Sequence, residues 1–183
     1  MPHPQTSDRA WRLNRLALFG RLTALGGIAV IGLYEVYLLT DAPALHQALG
    51  HARLMSGFEA EPSINILAWL MGLIPATLFL LSLWCIHRLF GVIATGGTLF
   101  SPDLPPLLHR LGQLSFAGAI AGLLTPTLTG LVLTLDRPPG QRQLVIAISS
   151  GEIAALIIGI LMFAFAHLMQ EALILEEDNR SIV

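Results

Sequence analysis

Two carboxylates occupy positions where carboxylates are rare: Glu35 and Glu152 each interrupt an apolar run. Burying an ionised acid in hydrocarbon is costly, so such a residue binds a proton, an ion or a polar ligand, or else hydrogen-bonds a neighbouring helix. Tyr34, Tyr37, Thr127, Ser149 and Ser150 supply hydroxyls at similar depth. The ligand or proton-binding candidates are therefore Glu35, Glu152, Tyr34, Ser149 and Ser150, lining a small pocket open to the outer face. The alternative is a protonated or hydrogen-bonded Glu that joins two helices.

Other chemistries find less support. His87, His109 and His167 all fall at span ends, and imidazole is the commonest metal ligand. Yet there is no HExxH and no pair of His on one helix face, so neither a metal site nor a cofactor is expected. The single Cys85 lies in an apolar run, which excludes an intrachain disulfide and a cysteine-based zinc cluster. A Gly-x-Ser-x-Gly elbow and a P-loop are both missing from the sequence, and the chain does not read as an enzyme. All ten basic residues are Arg, with no polybasic tract and a net charge of −2, so direct nucleic-acid binding is not expected.

The elements that must position these residues are membrane spans. Of 183 residues, 54% are apolar and only 12% charged, and mean hydropathy is +0.70, too apolar for an ordinary soluble domain. One membrane domain is expected over 1–183, with spans near 16–39, 64–86, 111–135 and 144–169 and a tail over 170–183. The last run is about 26 residues, giving a helix of roughly 39 Å against a hydrocarbon core of about 30 Å. The first follows Arg9, Arg12 and Arg15, as a signal peptide would. Its length of roughly 24 residues exceeds an h-region of about 7 to 15, so it reads as a retained anchor.

Between the first two spans the chain turns polar, and Ala44 to Met55 reads as an interfacial helix. Pro75 and Pro126 sit inside spans two and three, where a missing N–H kinks a helix. Threonine hydroxyls beside Pro126 can satisfy the freed carbonyls. Small residues recur as Gly118-x-x-x-Gly122 in span three and as Gly151, Ala155 and Gly159 in span four, spacings that let helices approach closely. A tight loop, Asp136 to Gln143, joins these two spans.

Arg9, Arg12, Arg15, Arg21, Arg88, Arg110 and Arg180 fall on one side, against Arg53, Arg137 and Arg142 on the other. Basic residues are retained in the cytoplasm, which places both termini there and makes the protein multi-pass in the inner (plasma) membrane. The fold expected is an all-α integral membrane bundle of four transmembrane helices, with a short cytoplasmic helix between spans two and three.

That connection is the most specifically written stretch. After Gly96-Gly97, Ser101 offers a hydroxyl cap, Pro102 lacks an N–H where none is needed, and Asp103 faces the positive helix end. The tail carries Glu171, Glu176, Glu177 and Asp178 and closes on the apolar pair Ile182-Val183. Both segments are cytoplasmic in this topology. The partner-docking candidates are Ser101, Asp103, Arg110, Glu176, Glu177, Asp178 and Asn179. The alternatives are a well-capped re-entry helix and a solubilising helix end.

Gly97, Phe100, Ser101, Pro102, Leu108, Arg110, Leu111 and Gly112 form one pattern, and Ala172, Leu175, Glu176, Glu177, Asp178, Asn179, Ser181, Ile182 and Val183 another. In both the chain resembles a family of uncharacterised bacterial four-helix membrane proteins with a domain of unknown function. Together they cover roughly a quarter of the chain and are moderately specific. Members of that family are often encoded beside a very small helix-turn-helix regulator of the Cro/C1 type. The resemblance thus implies a membrane protein that holds or releases a transcription factor. The sequence departs from the pattern at Asp103-Leu104-Pro105-Pro106-Leu107, where many relatives carry a polar, basic helix.

The function expected is that of a membrane-embedded regulatory or interaction protein that binds and controls a small helix-turn-helix regulator. The alternative is a small-molecule or ion sensor or transporter using Glu35 and Glu152. Expected partners are membrane lipid, the regulator and a second copy of the chain.

Overall fold

A computed structural model describes residues 4–40, 62–96, 101–133 and 150–181, all but the turn at 101–103 of it helical. The expected interfacial helix at Ala44 to Met55, the turn at Gly97, the loop Asp136 to Gln143, the run from Leu144 to Ser149 and the pair Ile182-Val183 lie outside the described residues.

Helix α1 spans Pro4–Thr40, α2 Pro62–Gly96, α3 Leu104–Leu133 and α4 Ser150–Ser181. Each contains a segment long and apolar enough to cross a membrane: Leu13–Thr40, Trp69–Thr95, Leu104–Leu131 and Ser150–Asn179. Four such helices point to a multi-pass membrane protein. Helix α2 opens on Pro62, where an N–H would have no acceptor, and closes at Gly96. It runs ten residues beyond Ile86, because Leu89, Phe90, Val92 and Ile93 continue the apolar pattern past His87-Arg88.

Helix α3 is continuous from its cap into the span, so the helix started at Ser101 and the third span are one element. Pro105 and Pro106 fall in its first turn, where four backbone N–H groups lack helical acceptors anyway. Pro75 and Pro126 stand inside α2 and α3, and both helices continue through them. The Thr127 hydroxyl donates to the Leu123 carbonyl at 3.4 Å. Thr23, Thr40, Ser82 and Thr95 likewise donate back to their own helices, which satisfies hydroxyls that lipid cannot.

The helices form an open row rather than a closed ring: α1 packs on α2, α2 on α3 and α3 on α4, and among the described residues no other pair touches. Gly20 and Gly27 of α1 meet Phe90 and Leu83 of α2, Cys85 of α2 meets Leu107 of α3, and Gly112 and Gly122 of α3 meet Gly159 and Glu152 of α4. Sequence numbers fall on one helix as they rise on the next for α1–α2 and for α3–α4, so both pairs are antiparallel, and the end of α2 shares a cavity with the start of α3. One end of the molecule therefore gathers the start of α1, the end of α2, the start of α3 and the end of α4.

An open row buries little. The buried apolar side chains include Ala17, Ala24, Cys85, Leu111, Ala119 and Ala166, mostly small residues at helix contacts. Large residues such as Phe19, Leu33, Ile160 and Leu168 are exposed at 60% or more. In water such a surface would aggregate; in lipid it is the expected outer face.

Candidate functional site

The start of α3 is built as its sequence dictates. The Leu104 N–H donates to the Ser101 carbonyl at 3.1 Å, and the Asp103 N–H reaches the Ser101 hydroxyl at 3.4 Å. This cap holds Asp103 at the rim of a cavity of about 660 Å³ between α1, α2 and α3. Arg21, Arg88 and Arg110 line the same cavity, one from each helix, together with Trp84 and His87. The His87 ring stacks on Trp84 with centroids 5.6 Å apart, and its Nδ1 lies 3.5 Å from the Arg21 carbonyl. A carbonyl only accepts, so a bond at that distance needs the proton on Nδ1. Leu107, which also lines the cavity, accepts through its carbonyl from the buried Cys85 thiol at 3.3 Å.

A second cavity, of about 630 Å³, opens between α3 and α4 at the same end. His109, Gln113, His167 and Gln170 face it, and Arg110 borders both cavities. His109 meets Phe163 edge-on with centroids 4.9 Å apart. The three histidines at the span ends are thus divided, His87 to one cavity and the other two to the next. Among the described residues no three His, Cys, Asp or Glu side chains gather as a metal would require.

The two intramembrane acids are on the outer helices of the row. Glu152, half-buried in α4, lies against α3: a Cβ placed on Gly122 would stand 3.0 Å from its Cγ and 3.1 Å from its Oε1. Gly122 is also where Pro126 leaves a carbonyl without its helical donor. Glu35 is half-buried on α1, which touches neither α3 nor α4. One copy of the chain therefore does not bring Glu35 and Glu152 together. Tyr34 is exposed on α1, Ser150 is exposed as the first residue of α4, and Ser149 lies outside the described residues.

Compared with family models, residues 38–183 match the family described as Protein of unknown function (DUF2975). The chain belongs to this family. Compared with the curated proteins and with the solved structures, it matches none. The DUF2975 match takes in α2, α3 and α4 whole and begins at the last turn of α1. Arg88, Arg110 and Asp103 of the larger cavity thus lie inside the DUF2975 segment, whereas Arg21 is contributed by the helix that precedes it.

The last helix of the DUF2975 segment carries the remaining candidates. Glu176, Glu177, Asp178 and Asn179 are exposed on α4, and Ile174 and Leu175 beside them are exposed as well. Two features of this end escape a reading of the sequence by charge and spacing. Arg21 and Arg88 count there only as markers of sidedness and Arg110 also as a partner-docking candidate, although α1, α2 and α3 bring the three to one cavity. The second is Gly112, whose close partner is Gly159; the signal available was that both open or punctuate apolar runs with a residue lacking a side chain.

Proposed function

We propose that this chain is a regulatory or interaction protein of the bacterial inner membrane. Both termini lie in the cytoplasm, and the cytoplasmic end binds and controls a small, basic helix-turn-helix transcription regulator. The observation that carries this reading is the length of α4. Its 32 residues extend about 48 Å, roughly 18 Å more than a hydrocarbon core needs. The excess is the segment with exposed Glu171, Glu176, Glu177 and Asp178. A rigid acidic helix end beside exposed Ile174 and Leu175 offers both charge and apolar area to a basic partner. The capped start of α3, with Ser101, Asp103 and Arg110, stands at the same end and adds a second contact.

Deleting Glu177 to Val183 tests the docking surface. The deletion should abolish co-purification of a basic helix-turn-helix protein from detergent while leaving membrane insertion intact, because the spans are untouched. Retained co-purification would sink the docking proposal. The second reading, ion or small-molecule sensing, is favoured at Glu152 alone, by its close approach to Gly122 on the neighbouring helix.

A further inference from the structure

Three guanidiniums in one cavity at a membrane end call for a counter-ion. Arg21, Arg88 and Arg110 come from three different helices, and among the described residues the only acid lining that cavity is Asp103. Among the described residues none of the three is engaged in an ion pair. Arginine stays charged at every accessible pH, and mutual repulsion grows where lipid and protein lower the dielectric. Arginines that merely snorkel would spread separately toward the headgroups. Here they share one space, and an anion would relieve the repulsion between them.

The dimensions and walls narrow the class of anion. A volume of about 660 Å³ falls in the range of small-ligand sites, roughly 300 to 1,000 Å³, and far exceeds what a halide needs. Guanidinium forks match the oxygens of phosphate in paired hydrogen bonds. Trp84, Val92 and Leu107 give the cavity an apolar wall beside its charged one.

We propose that the cavity between α1, α2 and α3 binds a phosphate-bearing anion, held by Arg21, Arg88 and Arg110. The phosphate is that of a phospholipid headgroup or of a soluble phosphate compound, the same chemistry from two sources. The site needs no protein partner, so loss of the regulator reading leaves it intact, and loss of phosphate binding leaves tail docking intact.

The full chain, purified in detergent and stripped of lipid, tests this with two probes. Binding of phosphatidylglycerol is followed in mixed micelles by native mass spectrometry, and binding of inorganic phosphate is followed without lipid by calorimetry. Saturable binding of at least one is expected. Phosphatidylglycerol alone identifies the headgroup, and inorganic phosphate a soluble ligand. Arg88→Gln and Arg110→Gln should each weaken it by about 10-fold, the scale of one charge-assisted hydrogen bond. Arg15→Gln serves as control, since Arg15 lies on α1 outside the cavity, over the Trp11 ring at 4.6 Å. It should change binding less than about twofold, as an exposed charge does. Should the arginine variants misfold, Asp103→Asn, at an exposed position, should tighten binding by about threefold through loss of the competing carboxylate. No saturable binding of either probe, equal weakening by Arg15→Gln, or no gain in Asp103→Asn would overturn the proposal.

Discussion

The two outer seams of the row use glycine in different ways. Where α3 crosses α4, a Cβ on Gly112 would lie 3.1 Å from the Gly159 carbonyl oxygen, and one on Gly159 would lie 3.2 Å from the Gly112 carbonyl oxygen. Backbone meets backbone there, and neither side can move without shifting a helix. Where α1 crosses α2, a Cβ on Gly20 would first meet the Phe90 ring, at 2.5 Å, and one on Gly27 the Leu83 side chain, at 3.1 Å. Side chains fill that seam, and side chains can turn aside. A glycine in a membrane helix is thus a rigid requirement in one seam and an accommodating surface in the other.

The largest effect expected from this contrast is at the backbone crossing. Gly159→Leu should force α3 and α4 apart and destabilise the protein in detergent by about 3 kcal/mol or more, the upper range for overpacked sites. Leu161, on the same helix and exposed at 47%, is the matched control. Leu161→Ala should change thermal stability by less than about 0.5 kcal/mol, as surface substitutions do. Equal losses in a detergent melting series would break the comparison by showing that the crossing is not where α4 is held.

Much of this molecule is legible in its sequence, for a physical reason. A helix in lipid must satisfy its own backbone, so a long apolar run leaves one answer, and four helices long and apolar enough to cross a membrane are found. Their limits are less legible. The polar pair His87-Arg88 looks like the end of α2, but the apolar residues after it carry the helix to Gly96. Packing is the least legible, because lipid-facing and helix-facing positions are both apolar and no periodicity separates them. The small-residue motifs illustrate this. Gly159 sits in the crossing, whereas a Cβ on Gly118 would meet nothing within 4 Å and Gly151 is exposed. For the same reason the cavity arginines are readable singly but not as a group, since grouping depends on how far each helix slides past its neighbour.

A smaller effect is expected in the seam filled by side chains. Gly20→Ala should cost about 1 kcal/mol, because the roughly 1 kcal/mol the helix gains from alanine is outweighed by swinging the whole Phe90 side chain, whose Cγ would stand 2.7 Å from the new Cβ. Thermal unfolding in the same detergent measures it. A loss approaching that of Gly159→Leu would mean that Phe90 is as immobile as backbone, and the two seams would then be alike.

The smallest effect expected is at Glu152, which sharpens the comparison because it lies in the α3–α4 seam but meets Gly122 through a side chain. Glu152→Gln keeps the Cγ that stands at 3.0 Å from a Cβ on Gly122 and removes only the capacity to ionise. If α3 and α4 are held by the backbone crossing, the melting temperature should move by no more than about 0.5 kcal/mol would produce. A loss comparable to that of Gly159→Leu would show instead that the carboxyl group itself joins the helices. A neutral result on stability leaves one further readout, the response of the proposed regulator to an external signal. Since a polar ligand or proton at this depth must be recognised by a group that can change its charge, a changed response in the stable Gln variant would assign Glu152 to sensing. An unchanged response would leave it as a packing residue whose hydrogen-bonding capacity, rather than its charge, suits it to the place where Pro126 frees the Gly122 carbonyl.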